Sequence, residues 1–260
     1  MQQPIVISTQ GLSVGYADKI ILQDINMQIP KNSVVAVLGL NGSGKSTLLR
    51  SLAGLQHKLS GEINVDGISI NTLSTSALAQ KVSVVLPGRG DVVQGLVVHE
   101  LFSTTRASFA SGFGKLNQAD IAIIEQTIGE LKIEHLINKR IYQLSDGEAQ
   151  MVFIARALIQ QTPYIFMDEP TSYLDIIHKM EIFSLIRSLA KLEKTILFTS
   201  HELDMALQIA DYCLLIGQQG QHVFGNIADL LQSGQVEQFF SSKYLQFDVA
   251  QKRFNWNLDL

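Results

Sequence analysis

The apolar positions in the first thirty residues come in short segments, which predicts β-structure at the start of the chain. The apolar segments are residues 5–7, 12–14, 20–22 and 25–29. We expect Gly11, Gly15 and Asp18 to separate these segments, and Pro30 to end the last one.

Residues 34–38 are continuously apolar, which is typical of a strand buried on both faces. A glycine-rich loop follows directly, and residues 46–55 have helical spacing. Residues 62–67 then predict a hairpin turn.

Helical spacing dominates the middle of the chain. Residues 97–110 and 118–133 predict helices, and the only strand pattern nearby is at residues 82–86. We therefore expect residues 75–142, approximately, to form a helical lobe inserted into a sheet domain.

Strand and helix patterns alternate again after this lobe, as in a parallel sheet wrapped by helices. The predicted strands are residues 164–167, 195–199 and 212–216, and the predicted helices are residues 175–192 and 202–210. We expect one domain over residues 1–225, and a tail of mixed helical pattern over residues 226–260 that packs on it.

Composition narrows the class of protein further. The formal charge of −4 gives no strong attraction to nucleic acid. No apolar run approaches the roughly 20 residues that span a bilayer. The single cysteine, Cys213, excludes a disulfide framework, and with no signal-peptide pattern it indicates the cytoplasm.

The strongest chemical motif begins directly after the strand at residues 34–38. It fits the phosphate loop GxxxxGK[ST] and reads Gly39-Leu40-Asn41-Gly42-Ser43-Gly44-Lys45-Ser46-Thr47. Its glycines allow backbone N–H groups to converge on phosphate, Lys45 supplies a cation, and the Ser46 hydroxyl can reach Mg²⁺. The motif predicts binding of a nucleoside triphosphate.

Two adjacent carboxylates, Asp168 and Glu169, end the predicted strand at residues 164–167. The carboxyl ends of parallel strands are where α/β sheets bind ligands. We expect Asp168 to hold Mg²⁺ and Glu169 to polarise the attacking water.

A third motif, Leu144-Ser145-Asp146-Gly147-Glu148, precedes a long helical stretch. Its residues alone describe a helix capping box. In its position between the phosphate loop and the carboxylates, however, it resembles the LSGGQ signature of the ABC transporter ATPases. The chain is accordingly similar to that family up to about Gly225.

Three further features of this family are present in order. Tyr16 matches the aromatic residue that stacks on adenine, although a half-buried strand tyrosine would look the same. The segment Ser172-Tyr173-Leu174-Asp175 resembles the D-loop, and His201 matches the switch histidine that contacts the γ-phosphate. The remaining histidines, including His178, show no ligand spacing and are interpreted as surface or loop residues.

The resemblance implies a fold, a mechanism and partners. The fold would be a P-loop NTPase (RecA-like) α/β core with an antiparallel β subdomain and a helical lobe. Two copies would pair head to tail with ATP and Mg²⁺, so that Ser145, Gly147 and Glu148 of one copy face nucleotide on the other. Permease subunits in the membrane, and indirectly an extracytoplasmic substrate-binding protein, would complete the assembly.

The chain departs from the family pattern at two places. Asp146 and Glu148 add negative charge near a triphosphate unless they are solvated or paired. Gly88 stands where the family has a glutamine that contacts Mg²⁺ and water. Either Gln94 or Asp91 replaces that glutamine, or water completes the metal shell, and we expect slowed hydrolysis.

The chain resembles the ATPases of importers for iron–siderophore complexes, haem or cobalamin. The resemblance lies in its length, its helical lobe and the segment at residues 201–206. A soluble ABC ATPase of iron–sulfur cluster assembly is the alternative from another class. A P-loop kinase is a third, against which the signature, the D-loop and His201 all argue.

Overall fold

The structure is a computed structural model. It describes residues 3–17, 19–88, 93–109, 115–240, 245–248, 251 and 253–256. Two of the residues named above, Asp18 and Asp91, lie outside these ranges.

The strands of the described ranges are numbered in chain order. They are β1 (Ile5–Tyr16), β2 (Lys19–Pro30), β3 (Val34–Gly39), β4 (Ser60–Val65), β5 (Ile68–Ser69), β6 (Val82–Val85), β7 (Tyr164–Met167), β8 (Thr195–Ser200), β9 (Tyr212–Ile216), β10 (His222–Asn226), β11 (Leu245–Asp248) and β12 (Arg253–Trp256).

The α-helices are numbered in the same way. They are α1 (Lys45–Leu52), α2 (Thr75–Ala79), α3 (Val98–Ala107), α4 (Gln118–Leu131), α5 (Asp146–Ile159), α6 (Ile176–Lys191), α7 (Leu203–Ile209), α8 (Ile227–Gln232) and α9 (Gln235–Phe240). None of the helices described here has the length and apolar character to cross a membrane.

The central sheet has six strands in the order β10-β9-β3-β8-β7-β6. All of its neighbouring pairs are parallel except β9 with β10, which is antiparallel. A second sheet, in the order β2-β1-β4-β5, is antiparallel throughout. The predicted α/β core with an antiparallel β subdomain is confirmed.

Strand β3 is fully buried because its two faces enter different cores. Val34, Ala36 and Leu38 pack into the core shared with α5, α6 and α7. Val35 and Val37 pack into the core shared with α1 and the antiparallel sheet. The continuous apolar run is therefore the consequence of a sheet covered on both sides.

The glycines of the first sheet do not divide it into the short segments that we expected. Strand β1 continues through Gly11 and Gly15. The pairing register with β2 shifts between Thr9 and Leu12, and Gly11 occupies this irregularity with φ 55°. Gly11 is thus a bulge residue, which bends a strand without ending it.

The range expected for the helical lobe, residues 75–142, contains α3 and α4 but also β6, which belongs to the central sheet, and α5 beyond its end packs against both helices. Arg106 of α3 holds these three helices together: its Nε lies 2.7 Å from an Asp120 oxygen at the start of α4, and its guanidinium also donates to the Ile159 carbonyl oxygen of α5 (3.2 Å). Helix α3 ends at Ala107, and residue 110 of the predicted helix lies outside the described ranges.

The segment after Gly225 contains more than the helical pattern predicted for it. Helices α8 and α9 agree with that pattern, but β11 and β12 then pair as an antiparallel hairpin. The rings of Phe247 and Phe254 lie 4.7 Å apart between them. The Phe254 N–H donates to an Asp204 oxygen (2.9 Å), which attaches the hairpin to α7.

Candidate active site

The phosphate loop, defined here as residues 39–45, connects β3 to α1. Gly42 and Gly44 have φ values of 80° and 99°, in the region that favours glycine. A Cβ atom on Gly44 would lie 2.5 Å from Ile21 Cγ2, and one on Gly39 would lie 2.6 Å from Ser43 Oγ. The loop is therefore shaped by close approaches that side chains would block, and it leads into the N-terminus of α1.

Lys45 is folded back over this loop. Its Nζ donates to the carbonyl oxygens of Gly39 (3.0 Å) and Leu40 (3.1 Å), and only 4% of the side chain is exposed. The same Nζ lies 3.5 Å from Glu169 Oε1. A buried ammonium thus faces the carboxylate cluster at the end of β7.

Asp168 is the fully buried centre of this cluster. Its Oδ1 accepts hydrogen bonds from Ser46 Oγ and Thr199 Oγ1, both at 2.8 Å. Its Oδ2 is buried and has no hydrogen-bond partner among the residues the structure describes. A carboxylate oxygen without a partner, beside a hydroxyl, is a donor set that fits a hard cation such as Mg²⁺.

Glu169 turns away from the strand with φ 46°, a conformation that is strained for a residue with a side chain. Its N–H donates to Thr199 Oγ1 (2.8 Å), and its Oε2 accepts from Ser172 Oγ (2.8 Å) and lies 3.2 Å from His201 Nδ1. Burial alone would raise the pKa of Glu169, but the Ser172 hydroxyl, the Lys45 ammonium and His201 together lower it. The carboxylate is therefore ionised at neutral pH.

Thr199 and Ser172 hold this cluster together, and the sequence did not single out either hydroxyl. Thr199 Oγ1 donates to Asp168 and accepts the N–H of Glu169, so that one hydroxyl fixes both carboxylate residues. The available signal was their position inside the D-loop and switch-histidine segments. The role of Thr199 becomes visible because β8 ends beside β7 in the sheet, and the role of Ser172 because the turn after β7 brings its hydroxyl to Glu169.

Tyr16 lies at the end of β1, next to α1. Thr47 Oγ1 donates to its hydroxyl (3.3 Å), and 54% of the tyrosine is exposed. The ring is therefore near the phosphate loop and accessible to a ligand.

The signature turn, residues 144–148, begins α5. Ser145 caps the helix: its Oγ accepts the Glu148 N–H (3.2 Å), and Glu148 Oε2 accepts the Ser145 N–H (2.7 Å). Glu148 Oε1 also accepts from Lys139 Nζ (2.8 Å). The Lys139 side chain, followed by the Ser145 N–H, lowers the pKa of Glu148, so its charge is paired within the chain.

These residues form two separate groups. One contains the phosphate loop with Asp168, Glu169 and His201. The other is the signature turn, of which Ser145, Gly147 and Glu148 form no hydrogen bond or ion pair with the first group in the part of the chain that the structure describes. The capping box of the signature turn is therefore real, but it does not bring the turn to the nucleotide loop of its own chain.

Gly88 follows β6 and has φ 87°. A Cβ atom placed on it would meet nothing within 4 Å, so the space is open although the backbone conformation is unfavourable for other residues. The Gln94 carbonyl oxygen accepts the Tyr142 N–H (3.2 Å). Asp91 lies outside the described ranges, so its role stays a prediction.

The fold and this cluster define a P-loop nucleoside triphosphatase. Residues 22–172 match the family profile described as ABC transporter. The chain belongs to the ABC transporter family, and it is an ATP-binding and ATP-hydrolysing subunit of that family.

Comparison with individual proteins agrees with this family. The chain is 37% identical over 211 residues to the iron(3+)-hydroxamate import ATP-binding protein FhuC of Bacillus subtilis, covering 81% of this chain and 78% of FhuC. It is 32% identical over 255 residues to the petrobactin import ATP-binding protein FpuC of Bacillus anthracis, covering 92% and 93%. The solved structure of cbiO1 from Clostridium perfringens, part of the ABC transporter complex cbiONQ, superimposes with a TM-score of 0.77 at 26% identity, covering 91% of this chain and 94% of cbiO1.

The glycine at position 88 gives a prediction about the rate of ATP hydrolysis. Gly88→Gln supplies an amide that can hold the metal or the water, so we expect faster hydrolysis per molecule than in Gly88→Ala. Both variants carry the same backbone cost of about 1–3 kcal/mol at a positive φ, so their comparison isolates the amide. Equal rates of phosphate release in the two variants would show that Gly88 does not limit hydrolysis.

Proposed function

We propose that this chain is the motor subunit of an ABC importer, in which a dimer of ATPase subunits drives uptake of an iron–siderophore, haem or cobalamin through separate permease subunits. The observation that carries the proposal is that, among the described residues, no hydrogen bond or ion pair joins the phosphate-loop group to Ser145, Gly147 or Glu148 of the signature turn. A site split in this way is completed when two copies pair head to tail.

One half of the shared site, contributed by one copy of the chain, binds the nucleotide. Lys45 and the backbone of the loop bind the phosphates, with Tyr16 beside the adenine. Asp168 and the Ser46 hydroxyl would hold Mg²⁺, which would neutralise phosphate charge when bound. The nucleotide-binding residues of this half are Tyr16, Gly39, Asn41, Gly42, Ser43, Gly44, Lys45, Ser46 and Thr47.

Glu169 positions the attacking water, and its low pKa keeps it in the ionised form that can accept a hydrogen bond from that water. A bound γ-phosphate would compete with Glu169 for Lys45, because the phosphate oxygens also carry negative charge that the Lys45 ammonium attracts. His201, on the other side of the Glu169 carboxylate, contacts the γ-phosphate in this proposal.

The second half of the site comes from the partner copy. Ser145 and Gly147 face the phosphates at the N-terminus of α5, whose dipole favours an anion. Glu148 acts by holding the Ser145 backbone, and Lys139 pairs its charge. The extra acidic residue at position 148 is therefore compatible with a triphosphate nearby.

The assembly proposed here is supported by the relatives FhuC and FpuC, which are import ATP-binding proteins by name. The chain docks from the cytoplasm on the inner face of the membrane, against permease subunits that receive cargo from an extracytoplasmic binding protein. Residues 1–225 form the motor domain, and residues 226–260 form a tail that packs on it. Nucleic acid is not a partner, in keeping with the charge of −4.

The role of Glu169 is tested by Glu169→Gln. We expect ATP binding to persist while hydrolysis falls by at least about a hundredfold, because an amide cannot accept the proton of the water. Size-exclusion chromatography with ATP should then show an accumulated dimer. The matched control is Glu62→Gln at an exposed site of β4, and near-normal turnover in Glu169→Gln would contradict the assignment.

The composite site is tested by mixing two inactive subunits that carry different tags. Lys45→Ala and Ser145→Ala should each lose hydrolysis as homodimers. A heterodimer of the two variants contains one site with both an intact loop and an intact signature turn, so we expect about half of the normal activity to return. Failure of any mixture to regain activity would contradict a site shared between copies.

The proteins that co-purify with this chain distinguish the importer hypothesis from the iron–sulfur scaffold hypothesis. The importer predicts permease subunits with many membrane spans, and the iron–sulfur scaffold predicts soluble assembly proteins. The comparisons do not favour the scaffold, because FhuC and FpuC are both named as import ATP-binding proteins. Mass spectrometry of the tagged chain, extracted from membranes in mild detergent, decides between the two.

A further inference from the structure

His178 lies in the first turn of α6, directly after the D-loop segment. Its ring contacts the signature turn of α5: a Cβ atom placed on Gly147 would lie 3.0 Å from His178 Cδ2, 3.2 Å from Cγ and 3.3 Å from Nε2. Gly147 therefore leaves room for this ring, and any larger residue would displace it. His178 is a surface residue, as interpreted from the sequence, with 45% of its side chain exposed, but it lies in a helix and its ring also touches a second one.

The opposite side of the ring is held by Asp175. His178 Nδ1 lies 2.9 Å from both Asp175 oxygens, and Asp175 Oδ1 also accepts the backbone N–H of His178 (3.0 Å) as the N-cap of α6. These contacts, with the backbone N–H first and the ring second, lower the pKa of Asp175. An ionised carboxylate can only accept, so the ring donates through Nδ1 and its orientation is fixed.

The Lys139–Glu148 ion pair also anchors the signature turn, on Glu148. Lys139 fixes the third residue of α5, whereas the His178 ring lies against the second. The His178 contact places the start of α5 against α6, whereas Lys139 ties it to the segment before the signature turn. The D-loop segment and the signature turn are thus joined by a ring clamped between Asp175 and Gly147.

We propose that His178 is a positioning residue that locks the signature turn to the D-loop segment of the same chain, so that both are presented as one unit to the nucleotide bound by the partner copy. The inference rests on the composite site proposed above. His178 touches neither nucleotide nor metal in this account, and it acts only through the placement of Gly147 and Asp175.

The expected consequence is a separation of binding from hydrolysis. In His178→Ala, the phosphate loop and its carboxylates are untouched, so binding of ATP to a dilute, monomeric chain should be unchanged. Hydrolysis should fall by about ten- to a hundredfold, the scale associated with misplacing a positioned group by about 1 Å. The matched control is His222→Ala, since His222 lies in β10 and contacts only the Gly220 carbonyl oxygen among the hydrogen-bond partners described, and it should hydrolyse normally.

The decisive experiment compares two heterodimers that contain the same substitutions in different arrangements. In the first, one full-length chain carries Lys45→Ala and the other carries His178→Ala. In the second, one chain carries both substitutions and the other is unsubstituted. The active loop therefore faces an intact His178 chain in the first arrangement and a His178→Ala chain in the second.

We expect the first arrangement to hydrolyse ATP about tenfold faster than the second, because His178 serves the site across the interface. Equal rates, or a faster second arrangement, would overturn the proposal, since His178 would then act on nothing or on its own loop. The Lys45→Ala and Ser145→Ala mixture serves as the reference. If that mixture regains activity and the His178 arrangements do not differ, only the role of His178 fails, whereas a silent reference mixture refutes the composite site itself.

A second variant guards against a folding defect in His178→Ala. His178→Gln keeps a donor for Asp175 and part of the ring volume. It should give the same order of the two arrangements with a smaller difference. A reversed order in this variant would also contradict the proposal.

Discussion

The groups of the site are arranged around the buried carboxylate of Asp168. Strands β3, β7 and β8 are parallel neighbours, so their carboxyl ends meet, and Asp168 receives there one hydroxyl from the helix after β3 and one from the end of β8. An unpaired carboxylate at zero exposure would be costly, and these two hydrogen bonds offset part of that cost. Without the parallel sheet, none of these groups would be neighbours.

Charged and polar side chains next to Asp168 are paired with one another. Lys45 faces Glu169, and Glu169 in turn faces Ser172 and His201. A triphosphate in the loop would bring negative charge close to Lys45 and so weaken the contact of Lys45 with Glu169. Glu169 could then accept a hydrogen bond from water. The side chains that contact one another in this cluster are therefore the ones to which the proposed mechanism assigns the chemistry, and the strained backbone of Glu169 is held in place by Thr199.

Much of this site could be predicted from the sequence, for identifiable physical reasons. The phosphate loop, the strand before it and the helix after it are adjacent in the chain, so residues 34–52 carry their own signal. The contacts of Thr199 with Asp168, of Lys139 with Glu148 and of His178 with Gly147 join residues whose proximity depends on the packing of different elements. The β11–β12 hairpin was missed for a related reason: two short strands show their pairing only when they meet. Gly11 was misjudged because a glycine in a bulge and a glycine ending a strand look alike in sequence.

The most direct test of a site shared by two copies is the rate of ATP hydrolysis per molecule as the purified chain is diluted. If each nucleotide is held by the lysine-bearing loop of one copy and the signature turn of another, the rate per molecule should fall in proportion to concentration once the chain is mostly monomeric. A rate per molecule that stays constant over the same range, far below the dissociation constant of the dimer, would show that one copy suffices and would contradict the account.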